Sequence, residues 1–155
     1  RENMSEQLRA HEISPFESFE IIGYKVTPLA AQHDERSGPV LYLLEKDGKS
    51  MLYAHDTGRF LPETWEYLSK LEKPLDLLSL DCTAALRTGW EHGHLSFDRF
   101  LVVIDDLKKM NVIGEKTIII ANHFSHNGYA NHQMISDEAN KHNVLVSYDG
   151  MEVEF

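Results

Sequence analysis

LYLLEKDGKSMLYAHDTG, residues 41–58, is the stretch on which the fold turns. Two apolar runs, residues 39–45 (PVLYLLE) and 50–54 (SMLYA), flank Lys46-Asp47-Gly48-Lys49. Asp-Gly supplies the positive φ of a tight turn, so the segment predicts a β-hairpin. Its second strand runs into Ala54-His55-Asp56-Thr57-Gly58. That places a carboxylate at a rigid strand end, where loop residues converge on sites. A carboxylate is a natural ligand for Zn²⁺ or Mn²⁺, and its two oxygens can bridge two ions. Taken alone, Asp56 fits equally well as the first residue of a turn that bonds its own backbone.

Upstream, residues 16–22 (FESFEII) alternate loosely until Gly23 breaks the run, and residues 24–28 (YKVTP) form a second extended piece closed by Pro28. Downstream, residues 63–72 carry Trp65, Leu68 and Leu71 at helical spacing, with Pro62 at the favoured first-turn position. Residues 75–80 (LDLLSL) read as a buried strand, and Thr83 to Leu95 as a loop. Ser96 can cap a helix reaching Met110, with Phe100, Val103, Ile104 and Leu107 on one face. Residues 116–121 (KTIIIA) predict another buried strand, and a helix is expected near 130–141. Residues 143–148, a turn at Asp149-Gly150 and residues 151–155 close the chain. Antiparallel strands followed by alternating strand and helix predict a sheet covered by helices in an α/β arrangement. Trp65 and Trp90 are expected in the core.

Three further segments place chemistry beyond strand ends. Asn122-His123-Phe124-Ser125-His126 follows the strand at 116–121; neutral imidazole is the commonest metal ligand. Trp90-Glu91-His92-Gly93-His94 contains H-x-H, which can bind one ion when both rings face the same way. Asp81 ends the strand at 75–80 and could orient a histidine. Each is a weak signal alone; their order is not.

From His11 onward that order resembles the metallo-β-lactamase superfamily, most closely the phosphoribosyl cyclic phosphodiesterases of phosphonate breakdown. The matching stretches are HEISPFESFEIIGYKVTPLAAQH (residues 11–33), LYLLEKDGKSMLYAHDTGRFLP, LSLDC, GHLSFD, IIIANHFSH and SYDGMEVEF. The resemblance implies the αββα four-layer sandwich of that fold and a two-metal hydrolase with Zn or Mn. It implies His11, Asp56 and His123 as metal ligands, Asp56 bridging the two ions. It implies His94 as the acid that protonates the leaving oxygen, oriented by Asp81. His33 lies beside the site with no role implied, and His126 matches a position behind the ligands. The implied reaction is attack on a small, cyclic phosphodiester by a metal-activated hydroxide. A tRNA-processing nuclease of the same fold is the alternative enzyme. The superfamily's H-x-H-x-D-H is absent. The chain, residues 1–155, is therefore expected to be the C-terminal part of a single domain. It is expected to be inactive alone, with a partly filled or empty site, and to associate with an N-terminal fragment or a second copy. A non-catalytic domain that needs such a partner is the third reading.

Composition narrows the alternatives. The net charge is −10, from 25 acidic and 15 basic residues, and no Lys/Arg cluster is present. That surface disfavours nucleic acid as substrate. One cysteine, Cys82, cannot form an internal disulfide, and no apolar run is long enough to span a bilayer. A cytoplasmic location without membrane contact is expected.

Overall fold

A computed structural model describes residues 11–155, which leaves the opening Arg1-Glu2-Asn3-Met4 outside the described residues. Among them, seven strands form one sheet in chain order: β1 (Phe19–Ile21), β2 (Tyr24–Ala30), β3 (Val40–Lys46), β4 (Lys49–Ala54), β5 (Leu77–Asp81), β6 (Ile118–Asn122) and β7 (Leu145–Val146). The first four are antiparallel to their neighbours, and β4 to β7 are parallel. The helices are α1 (Pro62–Leu68), α2 (Phe97–Lys109) and α3 (His132–Asn140).

The expected hairpin is β3–β4. Lys46 pairs with Lys49, and Asp47 and Gly48 take φ of 49° and 76°, the geometry of a type I′ turn. Pro28 lies inside β2 opposite Tyr42 instead of ending it. Its carbonyl accepts the Phe16 amide at 2.7 Å, on the side of β2 that β1 has already left. The absent N–H therefore faces away from β3 and costs the β2–β3 ladder nothing. The run FESFEII contributes only the three residues of β1.

Pro62 is at the start of α1, which ends a turn earlier than its apolar spacing suggests. Lys70 and Leu71 close back on Tyr67 and Leu68 in tight turns before Pro74. Ser96 is the N-cap residue of α2, but its hydroxyl bonds with the Trp90 backbone instead of capping the helix amides; Phe97, Phe100, Val103, Ile104 and Leu107 are buried. They join Leu41, Leu43, Leu52, Ala54, Leu78, Leu80, Ile119 and Ala121 from one face of the sheet in a single core. Trp65 packs on that core, its ring 5.1 Å from Phe60. Trp90 does not: it is exposed, because the loop carrying it bends outward between β5 and α2. The closing segment forms only the two residues of β7, and residues 151–155 form no strand.

The other face of the sheet presents Met51, Tyr53, Leu77, Ser79 and Ile120. Tyr148, Met151, Val153 and Phe155 lie against it, enclosing a cleft of about 660 Å³ that reaches His123.

Candidate metal centre

Two antiparallel steps return the chain to its starting direction, so β2 ends on the same edge of the sheet as β4, β5 and β6. Four loops leave that edge: after β2 with His33, after β4 with Asp56, after β5 through Thr83 to His94, and after β6 with His123. His33 Nε2 is 3.5 Å from Asp56 Oδ1, and His123 Nε2 is 3.5 Å from Asp56 Oδ2. The His33 and His94 rings meet edge to face at 5.0 Å, and those of His94 and His123 stack at 5.7 Å. Two groups of donors lie close enough to hold an ion, His33–Asp56–His94 and Asp81–His94–His123.

Asp56 and His123 both take left-handed backbone, with φ of 51° and 63°. For residues other than glycine this conformation costs on the order of 1 kcal/mol or more, and such strain gathers where a side chain must be aimed. The loops are locked together around Gly58. Its amide donates to the Gln32 carbonyl at 3.0 Å, and the Arg59 amide donates to Glu91 O at 3.1 Å. A Cβ at residue 58 would stand 2.1 Å from Gln32 Oε1 and 2.3 Å from Glu91 O. Glycine thus lets the loops of His33, Asp56 and His94 approach one another. Gln32 completes the lock, accepting the Gly93 amide at 3.3 Å and lying 2.6 Å from His92 Nδ1.

Asp81 is fully buried behind the cluster. Its Oδ1 accepts the amides of Thr83 at 3.0 Å and Leu95 at 3.1 Å. Its Oδ2 is 3.0 Å from His94 Nδ1 and 3.3 Å from His123 Nδ1. The Thr83 hydroxyl is 2.8 Å from His123 Nδ1. Backbone donors satisfy one carboxylate oxygen and leave the other to fix two imidazoles, each with Nε2 free. A ligating histidine commonly has such a carboxylate or hydroxyl behind it.

His55, next to Asp56, turns to the other side. Its Nε2 is 2.8 Å from Ser79 Oγ. Burial, reinforced by repulsion from His123, lowers its pKa to about 4, so it is a neutral packing group near pH 7. His11 and His126 are exposed, and neither belongs to a donor group among the described residues. Asp56, Asp81, His94 and His123 converge, and His33 stands with them, while His11 lies outside both donor groups. Thr83 and Gln32 were not singled out in the sequence; His33 was, as the residue that ends the stretch 11–33 and lies beside the site.

The donor set fits a metal. Two ligands on a tetrahedral ion with bonds of ~2.1 Å lie about 3.4 Å apart. Asp56 stands 3.5 Å from each of two imidazole nitrogens, longer than a good hydrogen bond.

Among solved structures, the chain is similar to Zn²⁺-bound PqqB from Methylobacterium extorquens, with a TM-score of 0.64 and 16% identity over 92% of this chain and 55% of that one. It is also similar to a diphosphatase from the PhnP family, with a TM-score of 0.63 and 23% identity over 94% of this chain and 48% of the other. Igni18, a metallo hydrolase from Ignicoccus hospitalis, gives a TM-score of 0.65 and 16% identity over 98% and 64%. The chain spans about half the length of the first two. No curated protein matches it. Among the described residues, no helix is long and apolar enough to cross a membrane. The fold is that of the metallo-β-lactamases, and the model of the β-lactamase superfamily domain matches residues 1–118; the chain belongs to that superfamily.

Proposed function

We propose that the protein is a metal-dependent phosphodiesterase acting on a small, cyclic phosphodiester. The observation that carries this reading is the His94–Asp81 pair. A fully buried carboxylate, held by two backbone amides, is 3.0 Å from Nδ1 of a histidine that belongs to both donor groups. Hydrolysis of a thioester releases a thiolate, which needs less help from a fixed acid than an alkoxide departing from phosphorus. The likeness to a PhnP-family diphosphatase supports phosphorus chemistry.

Asp56, His33 and His123 are the residues we assign to hold divalent ions, Zn or Mn, with the remaining donors coming from chain beyond these residues. Such ions supply Lewis-acid activation of a phosphodiester and of water. Asp81 keeps the His94 proton on Nδ1 as a donor to its own Oδ2, so Nε2 faces the cluster. Protonated at Nε2, His94 gives that proton to the departing oxygen and recovers it from solvent. The same carboxylate stands behind His123, so Asp81 serves ligand and acid together. An acidic surface with no basic arm favours a small substrate over RNA.

The test is His94→Ala in a protein long enough to turn over, assayed on cyclic phosphodiesters with metal content measured in parallel. The expected result is a 10²–10⁴-fold loss of kcat, the usual contribution of a positioned acid, with metal content unchanged. Loss of metal in proportion would make His94 a ligand and remove the acid from the mechanism.

A further inference from the structure

Behind the metal centre, on the cleft face of the sheet, a row of polar side chains crosses the strands without contributing a ligand. Period-two alternation turns Tyr53, Ser79 and Asn122 to that face. Tyr53 and Ser79 are register partners on β4 and β5. His55 follows Tyr53 by two residues, its ring 3.8 Å from the Tyr53 ring, and its Nε2 lies 2.8 Å from Ser79 Oγ. Asn122 Nδ2 donates to the same oxygen at 3.3 Å. Asn122 Oδ1 accepts the hydroxyl of Ser147, the residue after β7, at 2.7 Å. Ser79 is buried at the middle of the row.

One obligate donor sets the direction of every bond in the row. The His123 amide can only donate, and it gives its proton to Asn122 Oδ1 at 2.7 Å. Asn122 therefore turns its oxygen to His123 and its NH2 group to Ser79. Ser79 Oγ accepts from Asn122 and keeps its own proton for His55 Nε2, its one acceptor among the described residues. A hydroxyl can accept on one side and donate on the other, which neither a methyl group nor a pure donor can do. Alanine at residue 79 would leave an imidazole nitrogen and an amide N–H without partners in a buried place.

The two groups that Ser79 joins stand next to the two strained residues of the metal centre. His55 precedes Asp56, at φ 51°, and Asn122 precedes His123, at φ 63°. Left-handed backbone at such residues persists only where the surroundings over-determine it. Asn122 holds the His123 amide directly. The Tyr53 ring and the Ser79 hydroxyl fix His55 from two sides, and so fix the direction in which the chain enters Asp56. We propose that Ser79 is a positioning residue of the metal centre, its hydroxyl tying His55 to Asn122 so that Asp56 and His123 keep the backbone from which both face one ion site, a role that rests on the reading of those two residues as ligands. Ser79 touches neither ion nor substrate; it acts through its two neighbours.

The first experiment uses the chain itself, stripped of metal with EDTA. Nuclear magnetic resonance reads the φ of Asp56 and His123 from backbone couplings and carbon shifts. In Ser79→Ala both residues are expected to leave the left-handed region. In Ser147→Ala, which removes a support of Asn122 alone, only His123 is expected to change. Ser79→Thr keeps the hydroxyl on a residue suited to a strand and should leave both in place. Far-UV circular dichroism confirms that each variant is folded; should Ser79→Ala unfold, Ser79→Cys, whose thiol is a weak donor and acceptor, carries the same test. Unchanged φ at Asp56 and His123 in a folded variant without the hydroxyl overturns the proposal. So does Ser79→Thr as damaging as Ser79→Ala, because the effect would then come from packing. The second readout is Zn²⁺ affinity, measured by competition with a chelator in a protein long enough to hold its ions. Ser79→Ala should weaken it roughly 10–100-fold, the scale of a change behind a metal ligand, and Ser79→Thr should restore it. Unweakened affinity in Ser79→Ala overturns the proposal. Wild-type protein that takes up no Zn²⁺ counts against the metal reading of the site, and the φ of Asp56 and His123 in the metal-free chain then decides the role of Ser79.

Discussion

The parallel strands β4, β5 and β6 have two ends built on opposite principles. At their N-terminal end every group has a partner. Asp76, just before β5, accepts the Ser50 amide at 2.9 Å and Lys49 Nζ at 3.1 Å, while its own amide and carbonyl bond to Ser50 O and the Ile118 amide. Thr117 bridges the Gly114 amide and Leu75 O. At the C-terminal end, Asp56 and His123 are held in left-handed backbone, Asp56 is more than half exposed, and donors lie 3.5 Å apart without bonding well. One end closes the sheet; the other leaves its side chains loosely paired among the described residues. Active sites of parallel α/β sheets sit outside the carboxyl ends of their strands, which is where the strain is found here.

This contrast predicts that stability and metal binding separate by end. Asp56→Gly removes the carboxylate shared by His33 and His123 but suits a φ of 51°. Changes one shell behind a metal ligand cost roughly 10–100-fold in affinity, so loss of this ligand should exceed about 100-fold. Thermal unfolding of the metal-free variant should show no loss of stability, or a gain of up to about 1 kcal/mol from relieved strain. A variant that both keeps its metal and melts lower would mean that Asp56 is a structural turn residue.

Asp76→Ala is the mirror experiment. It leaves the Ser50 amide without its acceptor and removes the partner of Lys49. The expected cost is about 1.5–3 kcal/mol, the usual scale for a lost hydrogen bond to a charged group, with metal affinity unchanged. Chemical denaturation and a metal titration on the same sample check both halves. A weakened metal site would show that the two ends are coupled through β5.

How much of this was legible in the sequence follows the same division. Local chemistry announced the hairpin, because Asp47-Gly48 between apolar runs specifies one turn. The 3.6-residue period of Phe100, Val103, Ile104 and Leu107 announced α2, which lies on the core as expected. The limits of β1 and β7 were not legible, since edge strands end where a neighbour ends and not where a pattern stops. Asp56, Asp81, His94 and His123 were readable because strand ends followed by His or Asp are rare enough to notice together. His33 was legible only as lying beside the site, with no role. Its place in the cluster depends on counting strand directions through the meander, a property of topology rather than of any motif. Thr83 and Gln32 depend on contacts between loops up to 61 residues apart, such as Gln32 with Gly93, and no spacing rule reports these.

The smallest expected effect tests how finely the division is drawn. Lys49 pairs with Asp76 at the N-terminal end of β4, but both side chains reach solvent, Lys49 at 55% and Asp76 at 24%. Exposed pairs contribute little, because water screens the attraction and holding a long side chain costs entropy. Lys49→Met keeps most of the aliphatic stem on the sheet and removes only the charge. The Ser50 amide retains its acceptor, so the variant should lose less than about 1 kcal/mol, and that difference should shrink as salt is raised. A loss as large as that of Asp76→Ala, and one that shrinks as salt is raised, would make the ammonium group and not the Ser50 amide the true partner of Asp76. The well-bonded end would then owe its stability to charge, the same kind of interaction that the C-terminal end leaves open for a metal.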